Sequence, residues 1–517
     1  MKVEDKQTGS FYTPKSLVSY MSEYAMQKVN APTILEPSAG DGRFIDVLTD
    51  YDSSIDAIEI DANKIEYLKS VCPNNNVQLI CANFIKYSLK SNKKYNLIIG
   101  NPPYITKKVL TEDERAISIE LIKYWSLPDS IFQNLWVSFV LGALKLLNEN
   151  GAIFFVLPFE FLQVHYAEKL RNFLEEKFNL IEITTFKESV FPDIEQDVCL
   201  VYMTNISGIK PIVKYTTVKN IDDYNPIEYS EIRRNKPLKK WSNSILNDDE
   251  IELLMNLSNQ YTKVSSLGNI SPGIVTGAND FFIINDSDAE RLNCKELLIP
   301  IIQKGSSVSK LLLFAKDDFL ELTELNKKVW MLNLSKVDIT NISGDLKNYL
   351  SEGMIRELHK RYKCGQRKRW HDVPIISSGD LMFFKRYNKL PRLIVNSADV
   401  YTTDISYNIR LNNEFDAHSV AFCFYNSLTL TLCEYSGRFY GGGVAELVPS
   451  EFKSLSIPYK RIHKSSVKKL DRMLRENKTI EEIVKYVDGI VLNDLSPNDL
   501  DVLKKIREKY LIRRLKQ

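Results

Sequence analysis

The stretch that decides the fold is NLIIGNPPYI, Asn96 to Ile105. Its first half is apolar and typical of a buried strand, which Gly100 ends. The two prolines after Asn101 stiffen the turn, because each fixes its backbone angle and lacks an N–H group. A rigid turn of this kind would hold the Asn101 side-chain oxygen and the Pro102 carbonyl as neighbouring acceptors, with the Tyr104 ring beside them. The stretch suits an amino group on a flat base; the alternative is a strained surface turn without a ligand.

Strand and helix patterns alternate around this turn. Their spacing of about 20 residues is typical of βαβ units and predicts a mostly parallel sheet. The predicted strands are residues 33–36, 54–60, 76–81, 95–99, 152–157, 181–186 and 198–203. The predicted helices between them are residues 62–71, 130–147 and 166–178. This rhythm is lost after about residue 205, where a polar segment to about residue 245 is expected to be irregular.

Three of these strands end in side chains that suit a nucleoside. The first runs into the glycine turn of ILEPSAGDGRF (34–44), the second ends in Glu59-Ile60-Asp61, and the third ends in Asn83-Phe84. An acid about 20 residues after a glycine turn can bind a ribose, and the carboxyl ends of parallel strands meet at one edge of the sheet. The alternatives are a tight turn without a ligand and a solvated strand end. The absence of a phosphate-binding motif favours a nucleoside without phosphates.

The composition limits the remaining classes of protein. A chain of 517 residues predicts two to four domains, and its net charge of +2 gives no overall attraction to nucleic acid. The seven cysteines form no CxxC pair and the five histidines have no metal-ligand spacing, which indicates a reduced, cytosolic protein without a metal site. No apolar run is long enough to span a membrane. We place the domains at residues 1–245 and 246–517, with a helical segment at 461–517.

The second half contains a basic segment between Arg356 and Arg392. It has eleven Lys and Arg residues with Tyr362, Trp370 and Tyr387 between them, a pattern typical of nucleic-acid contact. A solvated basic face is the alternative. The residues predicted to bind DNA are Arg361, Lys363, Arg367, Lys368, Arg369, Trp370, Lys385 and Arg386. The basic tail with Arg513 and Arg514 favours helix packing over DNA contact, and Gly441 to Gly443 suits either a close backbone approach or a strand bulge.

The ordered motifs resemble the gamma class of N6-adenine DNA methyltransferases. They are FYTP (11–14), EPSAGDGRF (36–44), IEID (58–61), ANF (82–84) and NPPY (101–104), and SVFPDIEQDVCLVYM (189–203) resembles a later motif of that class. Segments of the second half resemble its target-recognition region: SPGIVTGANDFF (271–282), QKGSSV (303–308), KRWHDVP (368–374) and YGGGVAELVPSEFKSLSIP (440–458). The resemblance implies a Rossmann-like, mostly parallel α/β methyltransferase domain. A mixed α+β recognition domain with a helical tail would follow it.

The resemblance also assigns roles to residues. Asn101 and Pro102 would hold the target amino group, and Tyr104 and Phe191 would stack on the target base. The cofactor would be S-adenosylmethionine, bound by Thr13, Glu36, Ser38, Gly40, Asp41, Glu59, Ile60, Asn83, Phe84 and Asn101. Asn83 departs from the pattern, since the family usually has Asp there. The amide lacks the charge, so we expect weaker cofactor binding than Asp would give.

The expected reaction is direct methyl transfer to an adenine flipped out of duplex DNA. No Pro-Cys pair follows the fourth strand, which disfavours a cysteine-based reaction at cytosine. The expected partner is double-stranded DNA, bound by a monomer, with a cognate endonuclease for the same motif as a possible companion. Two alternatives stay open: a modification subunit with a separate specificity subunit, and an amino-methyltransferase for RNA or protein. A binding protein without catalysis and a fused nuclease are disfavoured.

Overall fold

The computed structural model describes residues 12–72, 75–191, 197–232, 238–335, 337–440 and 443–515, without the side chains of residues 227–230, 232 and 340. The described residues form two compact units. The first comprises the residues up to Asn247 together with Tyr440, and the second comprises Asp248–Phe439 and Gly443–Leu515. The sequence analysis places this boundary after residue 245.

The first unit is built on a nine-stranded sheet with the order β3-β2-β1-β4-β5-β7-β6-β8-β9. Its strands are β1 (Thr33–Glu36), β2 (Ser54–Glu59), β3 (Val77–Cys81), β4 (Tyr95–Gly100), β5 (Leu147–Pro158), β6 (Leu180–Phe186), β7 (Val198–Thr204), β8 (Ile212–Val218) and β9 (Pro226–Ile232). Strands β1 to β5 pair in parallel, while β7 lies antiparallel between β5 and β6. The mostly parallel α/β class predicted for this part is confirmed.

The helices of this unit follow the strand ends, as in βαβ units. They are α1 (Lys15–Lys28), α2 (Arg43–Leu48), α3 (Ala62–Val71), α4 (Phe84–Lys90), α5 (Glu112–Tyr124), α6 (Trp136–Leu146) and α7 (Glu168–Lys177). The helix predicted for residues 130–147 begins only at Trp136, because the Leu135 N–H donates to the Ile105 carbonyl and ties the preceding residues to the loop after β4. Almost all of α6 is buried, since apolar residues cover nearly every face.

The segment between residues 205 and 245 was predicted to be irregular, and this prediction is wrong where it contains strands β8 and β9. They carry polar residues such as Lys214 and Thr216, which mask a strand pattern in the sequence. The strands form because β8 pairs with β6, and β9 pairs with β8 at the end of the sheet order.

The second unit contains small sheets and a helical tail. Its strands are β10 (Thr262–Lys263), β11 (Gly268–Pro272), β12 (Ile283–Ile284), β13 (Leu298–Ile302), β14 (Leu313–Phe314), β15 (Trp330–Leu332), β16 (Leu381–Phe384), β17 (Arg386–Tyr387), β18 (Arg392–Asn396), β19 (Tyr401–Thr402), β20 (Ser406–Leu411), β21 (Arg438–Phe439), β22 (Ala445–Glu446) and β23 (Ser456–Ile457). Its largest sheet has the order β11-β20-β16-β18-β14, and another has the order β12-β15-β13-β19. This unit is mixed α+β, as predicted.

Twelve helices are described in the second unit: α8 (Asp248–Gln260), α9 (Asn279–Phe282), α10 (Asp286–Arg291), α11 (Lys316–Glu324), α12 (Gly344–Ile355), α13 (Tyr362–Gly365), α14 (Ala417–Phe424), α15 (Ser427–Ser436), α16 (Pro449–Ser454), α17 (Lys464–Arg475), α18 (Ile480–Val491) and α19 (Pro497–Leu515). The last three match the predicted helical tail. Helix α9 ends at Phe282, and the two isoleucines that follow it form β12. None of the described helices is both long and apolar enough to cross a bilayer.

Candidate active site

The glycine turn after β1 is shaped by left-handed backbone. Gly40 and Gly42 have φ angles of +57° and +83°, a region that favours glycine. A Cβ atom on Gly42 would lie 2.5 Å from the Leu68 side chain, so α3 also excludes a larger residue there. The Ala39 N–H donates to the Ile58 carbonyl at 2.8 Å, which holds the turn against the end of β2. The conformation of the turn is therefore fixed by its own backbone and by the neighbouring elements.

Glu59 contacts this turn from the second strand. One carboxylate oxygen accepts from the Gly40 N–H at 2.9 Å, and the other accepts from the N–H groups of Ile60 at 2.9 Å and Asp61 at 3.0 Å. The side chain is buried, and the backbone donors compensate for its lost hydration. Glu59 thus sets the separation between the glycine turn and the end of β2. Ile60 next to it is 61% exposed and presents an apolar surface at this edge.

Glu36 is buried without compensation at the end of β1. It is 1% exposed, and its Oε2 atom has no hydrogen-bond partner among the described residues. Burial raises the pKa of Glu36 well above its usual value, and the nearby charges of Asp41 and Glu59 raise it further. An unsatisfied acidic group beside two other carboxylates favours a cationic ligand, because positive charge would relieve both the burial and the repulsion.

Asn83 and Phe84 lie at the start of α4. The Asn83 side-chain oxygen caps that helix by accepting from the N–H groups of Ile85 at 3.0 Å and Lys86 at 3.1 Å. The side chain that the resemblance assigns to the cofactor therefore already accepts two hydrogen bonds within its own helix. The Phe84 ring is buried and packs against Phe139 of α6 at a centroid distance of 4.9 Å.

The Asn101 turn is connected to both neighbouring elements. The Asn101 side-chain nitrogen donates to the Thr13 hydroxyl at 3.2 Å, and the Ser38 hydroxyl donates to the Asn101 carbonyl at 3.1 Å. The Tyr104 hydroxyl lies 3.0 Å from the Asn101 side-chain oxygen and 3.0 Å from the Val156 carbonyl. Burial raises the pKa of Tyr104 well above its usual value, so the hydroxyl remains a donor. These contacts hold the Asn101 amide beside the Pro102 turn.

Arg43 is a site residue that the sequence analysis missed. Its guanidinium donates to the Asp41 carboxylate at 2.8 Å and to the Thr13 carbonyl at 2.8 Å. It therefore joins the glycine turn to the segment before α1. The only signal in the sequence was a basic residue directly after an acidic glycine turn, and surface arginines occur in the same context.

Phe191 is 5% exposed and belongs to the same apolar cluster as Tyr104. The two aromatic rings that are predicted to stack on a target base therefore belong to one apolar cluster. Residues 192–196, which complete the predicted motif, lie outside the described residues, as do Phe11 of FYTP and Gly441-Gly442.

Three of the predicted DNA-binding residues contact other residues of the second unit. Arg367 donates to the Val275 carbonyl at 2.8 Å, and Arg369 donates to the Asp372 carboxylate at 2.8 Å. Trp370 packs against Phe281 and Phe282. Two arginines and a tryptophan with these partners contribute to the packing of the second unit, and their contact with DNA stays a prediction.

The other five predicted residues are more accessible. Arg361, Lys363, Lys368 and Arg386 are exposed, and Lys385 is half-buried with its ammonium group 5.2 Å from the centre of the Tyr407 ring. In the tail, Arg514 is buried in an ion pair with Glu434, as the helix-packing interpretation expects. Among the described residues, no group of His, Cys, Asp and Glu side chains is arranged to hold a metal ion.

Comparisons with known proteins match both units. Residues 43–191 match the family model of the Eco57I restriction-modification methylase, and residues 238–492 match that of the type II methyltransferase M.Eco57I, C-terminal domain. The type II methyltransferase M.AccI of Acinetobacter calcoaceticus is 24% identical over 95% of this chain and 94% of its own length. M.HindII of Haemophilus influenzae is 26% identical over 55% of this chain and 57% of its own length.

Solved structures show the same fold. The type IIL restriction-modification enzyme MmeI in complex with DNA has a TM-score of 0.60 at 13% identity, over 96% of this chain and 75% of that one. The DrdV–DNA complex has a TM-score of 0.52 at 13% identity, over 91% of this chain and 58% of that one.

Proposed function

The chain belongs to the Eco57I family of restriction-modification methylases, and from this premise we propose that it methylates the N6 amino group of an adenine in duplex DNA. Its relatives are named type II methyltransferases, which supports DNA methylation as the general activity. The observation that carries the adenine assignment is the Asn101 turn, because its paired acceptors suit a planar amino group.

We propose S-adenosylmethionine as the cofactor. When bound, it supplies a methyl group on a positively charged sulfur. The residues fit such a group: Glu36 has an unpartnered, buried oxygen beside Asp41 and Glu59, and a ligand with an ammonium and a sulfonium charge would satisfy that electrostatic demand. Glu59 and the glycine turn would bind the ribose, and Ile60 and Phe84 would contact the adenine ring.

The Asn101 side-chain oxygen and the Pro102 carbonyl would each accept a hydrogen bond from one N–H of the target amino group. Such an amine is a weak nucleophile because its lone pair is delocalised into the ring. Hydrogen-bond acceptors for both N–H groups favour a pyramidal nitrogen whose lone pair points at the methyl donor. Positioning of the nitrogen is therefore the main contribution to lowering the barrier to methyl transfer. The Thr13 and Tyr104 contacts on the Asn101 amide would keep its oxygen in place.

The target base must leave the helix to reach this turn. Extrusion costs a few kcal/mol, which stacking on aromatic rings helps to offset. Tyr104 and Phe191 share one apolar cluster at this site and would provide those rings. The proposed division of labour is catalysis by residues 1–245 and target recognition by residues 246–517, with exposed cations such as Arg361, Lys363, Lys368 and Arg386 on DNA phosphates.

The test is long-read sequencing of DNA from cells that express this chain alone, beside an Asn101→Ala variant. We expect N6-methyladenine in one short motif with the wild-type chain and none with the variant. The matched control is Asn150→Ala, which makes the same change at an exposed asparagine of the same unit and should leave methylation intact.

Unmodified DNA from the wild-type chain would contradict self-sufficient DNA methylation. Methyl-transfer assays on RNA and protein fractions, and on DNA with added cell extract, would then separate another substrate from a missing specificity subunit. Methylation that persists in Asn101→Ala would contradict the assigned role of the turn. A monomeric state and a cognate endonuclease stay proposals that these assays do not address.

A further inference from the structure

The second unit exposes a group of large apolar side chains between Met354 and Lys363, a segment that we call the basic tip. Ile355 is 81% exposed, Tyr362 is 74% exposed and Met354 is 45% exposed. Single exposed apolar residues are common, but three within nine positions concentrate exposed apolar surface on one short segment. Such a patch indicates a surface that a partner covers.

The backbone beneath the basic tip is firmly held. Gly353 lies so close to the aromatic core that a Cβ atom there would be 2.6 Å from the Trp370 ring and 2.8 Å from the Phe281 ring. Leu358, which lies between the exposed residues, and Cys364, which follows them, are completely buried. Arg367 donates to the Val275 and Trp370 carbonyls and fixes the chain that follows. Ile355 and Tyr362 are therefore presented on an ordered platform, which lowers the entropy cost of binding.

Charge identifies the kind of partner. The basic tip contains four cations, Arg356, Lys360, Arg361 and Lys363, against one acid, Glu357. Asp280 accepts from Arg356 at 2.8 Å and lies 3.5 Å from Arg361, and Glu357 pairs with Lys360. These pairs are exposed, so they contribute little and phosphate oxygens can replace the carboxylates. A polyanion with apolar parts fits this combination of charge and apolar surface.

We propose that the basic tip enters a groove of the target DNA, where Ile355 and Tyr362 contact bases and the surrounding cations contact phosphates. Bases offer the apolar surface that the side chains need, through thymine methyl groups and base faces. The inference rests on the proposed function and adds a recognition element to it. It also explains why an arginine and a tryptophan near the tip are used internally: they support the residues that reach the DNA.

The experiment measures DNA binding at several salt concentrations, with a duplex that carries the motif found by sequencing. We expect Ile355→Ser and Tyr362→Ala to raise the Kd about tenfold at every salt concentration, because they remove apolar contact. Lys363→Gln should instead lower the slope of log Kd against log salt by about one. The matched control is Leu320→Ser, since Leu320 is 54% exposed on the acidic helix α11 of the same unit and should not affect binding.

Cofactor affinity and the Tm of each variant should equal those of the wild-type chain, which shows that the variants fold. If the wild-type chain methylates DNA and both apolar variants bind it normally, the inference is wrong and the patch belongs to another surface, such as a contact with a second copy. If the wild-type chain neither binds nor methylates DNA, the proposed function fails and the inference fails with it.

Discussion

At the residue scale, Glu36 is a buried acid whose Oε2 atom has no hydrogen-bond partner among the described residues. An acid at the end of a strand is visible in the sequence, but its lack of a partner is not, because that depends on which groups the fold brings around it. Three carboxylates share this edge, and only Glu59 receives several backbone donors. Functional sites commonly sacrifice stability in this way, since a group satisfied by the protein is less available to a ligand.

We predict that Glu36→Gln stabilises the chain without cofactor, increasingly so as the pH rises. The folded pKa of Glu36 is raised, so its contribution to stability is complete below the ordinary pKa of about 4.3 and is lost as the pH rises through the folded pKa. The neutral amide avoids that loss. The measurement is Tm between pH 5 and pH 8, with the exposed Glu149→Gln as control. A Tm difference independent of pH would contradict the argument, and cofactor affinity should fall in the variant.

We predict that Asn83→Asp tightens cofactor binding severalfold. The Asn83 oxygen caps α4, and aspartate has a second oxygen that stays available to accept from the adenine amino group. Asn83→Ala is the comparison, since it loses the cap and should cost about 1 kcal/mol of stability as well as affinity. Isothermal titration with S-adenosylmethionine measures both variants. Equal affinities for the wild-type chain and the Asn83→Asp variant would show that this position does not touch the cofactor.

At the element scale, α6 packs closely against α4 because Gly142 has no side chain. A Cβ atom on Gly142 would lie 2.9 Å from the Phe84 ring and 3.0 Å from the Ser88 hydroxyl. We predict that Gly142→Ala displaces Phe84, lowers stability by about 1–3 kcal/mol and weakens cofactor binding, because the packed ring has no space to move without strain. Denaturant unfolding and titration with S-adenosylmethionine measure the two effects.

The control for this prediction is Gly489→Ala in α18, where no heavy atom lies within 4 Å of the new Cβ. Alanine there should stabilise the chain by up to about 1 kcal/mol through helix propensity alone. If both substitutions change stability in the same direction, the packing explanation for Gly142 is wrong.

The elements also show which parts of the fold were predictable. Helix α3 and strand β1 were predicted with their observed bounds, because local pattern and burial agree there. Strands β8 and β9 were missed because pairing within the sheet, rather than apolar content, makes them strands. The start of α6 was misplaced because a backbone contact with the loop after β4 interrupts an otherwise helical pattern.

At the scale of the whole molecule, a net charge of +2 conceals local concentrations of charge, such as the basic segment between Arg356 and Arg392. The glycine turn, Glu59, Asn83 and Asn101 lie at or just after the ends of β1 to β4, as the sequence predicts, because parallel strands end at one edge of the sheet. The recognition residues were less predictable. Arg361 and Arg367 look alike in the sequence, yet the first is exposed and the second is bound to backbone carbonyls. Only the packing of the second unit separates them.

The end of the described chain is held by a buried ion pair, and we predict that its loss destabilises the second unit. Arg514 donates to Glu434 at 3.0 and 2.8 Å and to the Gly443 and Asn388 carbonyls, so it connects distant parts of the unit. Arg514→Ala should cost about 3–5 kcal/mol, because it leaves Glu434 buried without its partner.

The control is Lys505→Ala on the same helix, which breaks an exposed pair with Asp501 and should cost at most about 1 kcal/mol. Denaturant unfolding compares them, and adding Glu434→Leu to Arg514→Ala should recover part of the loss. Equal costs for the two single variants would show that burial does not set the strength of this pair.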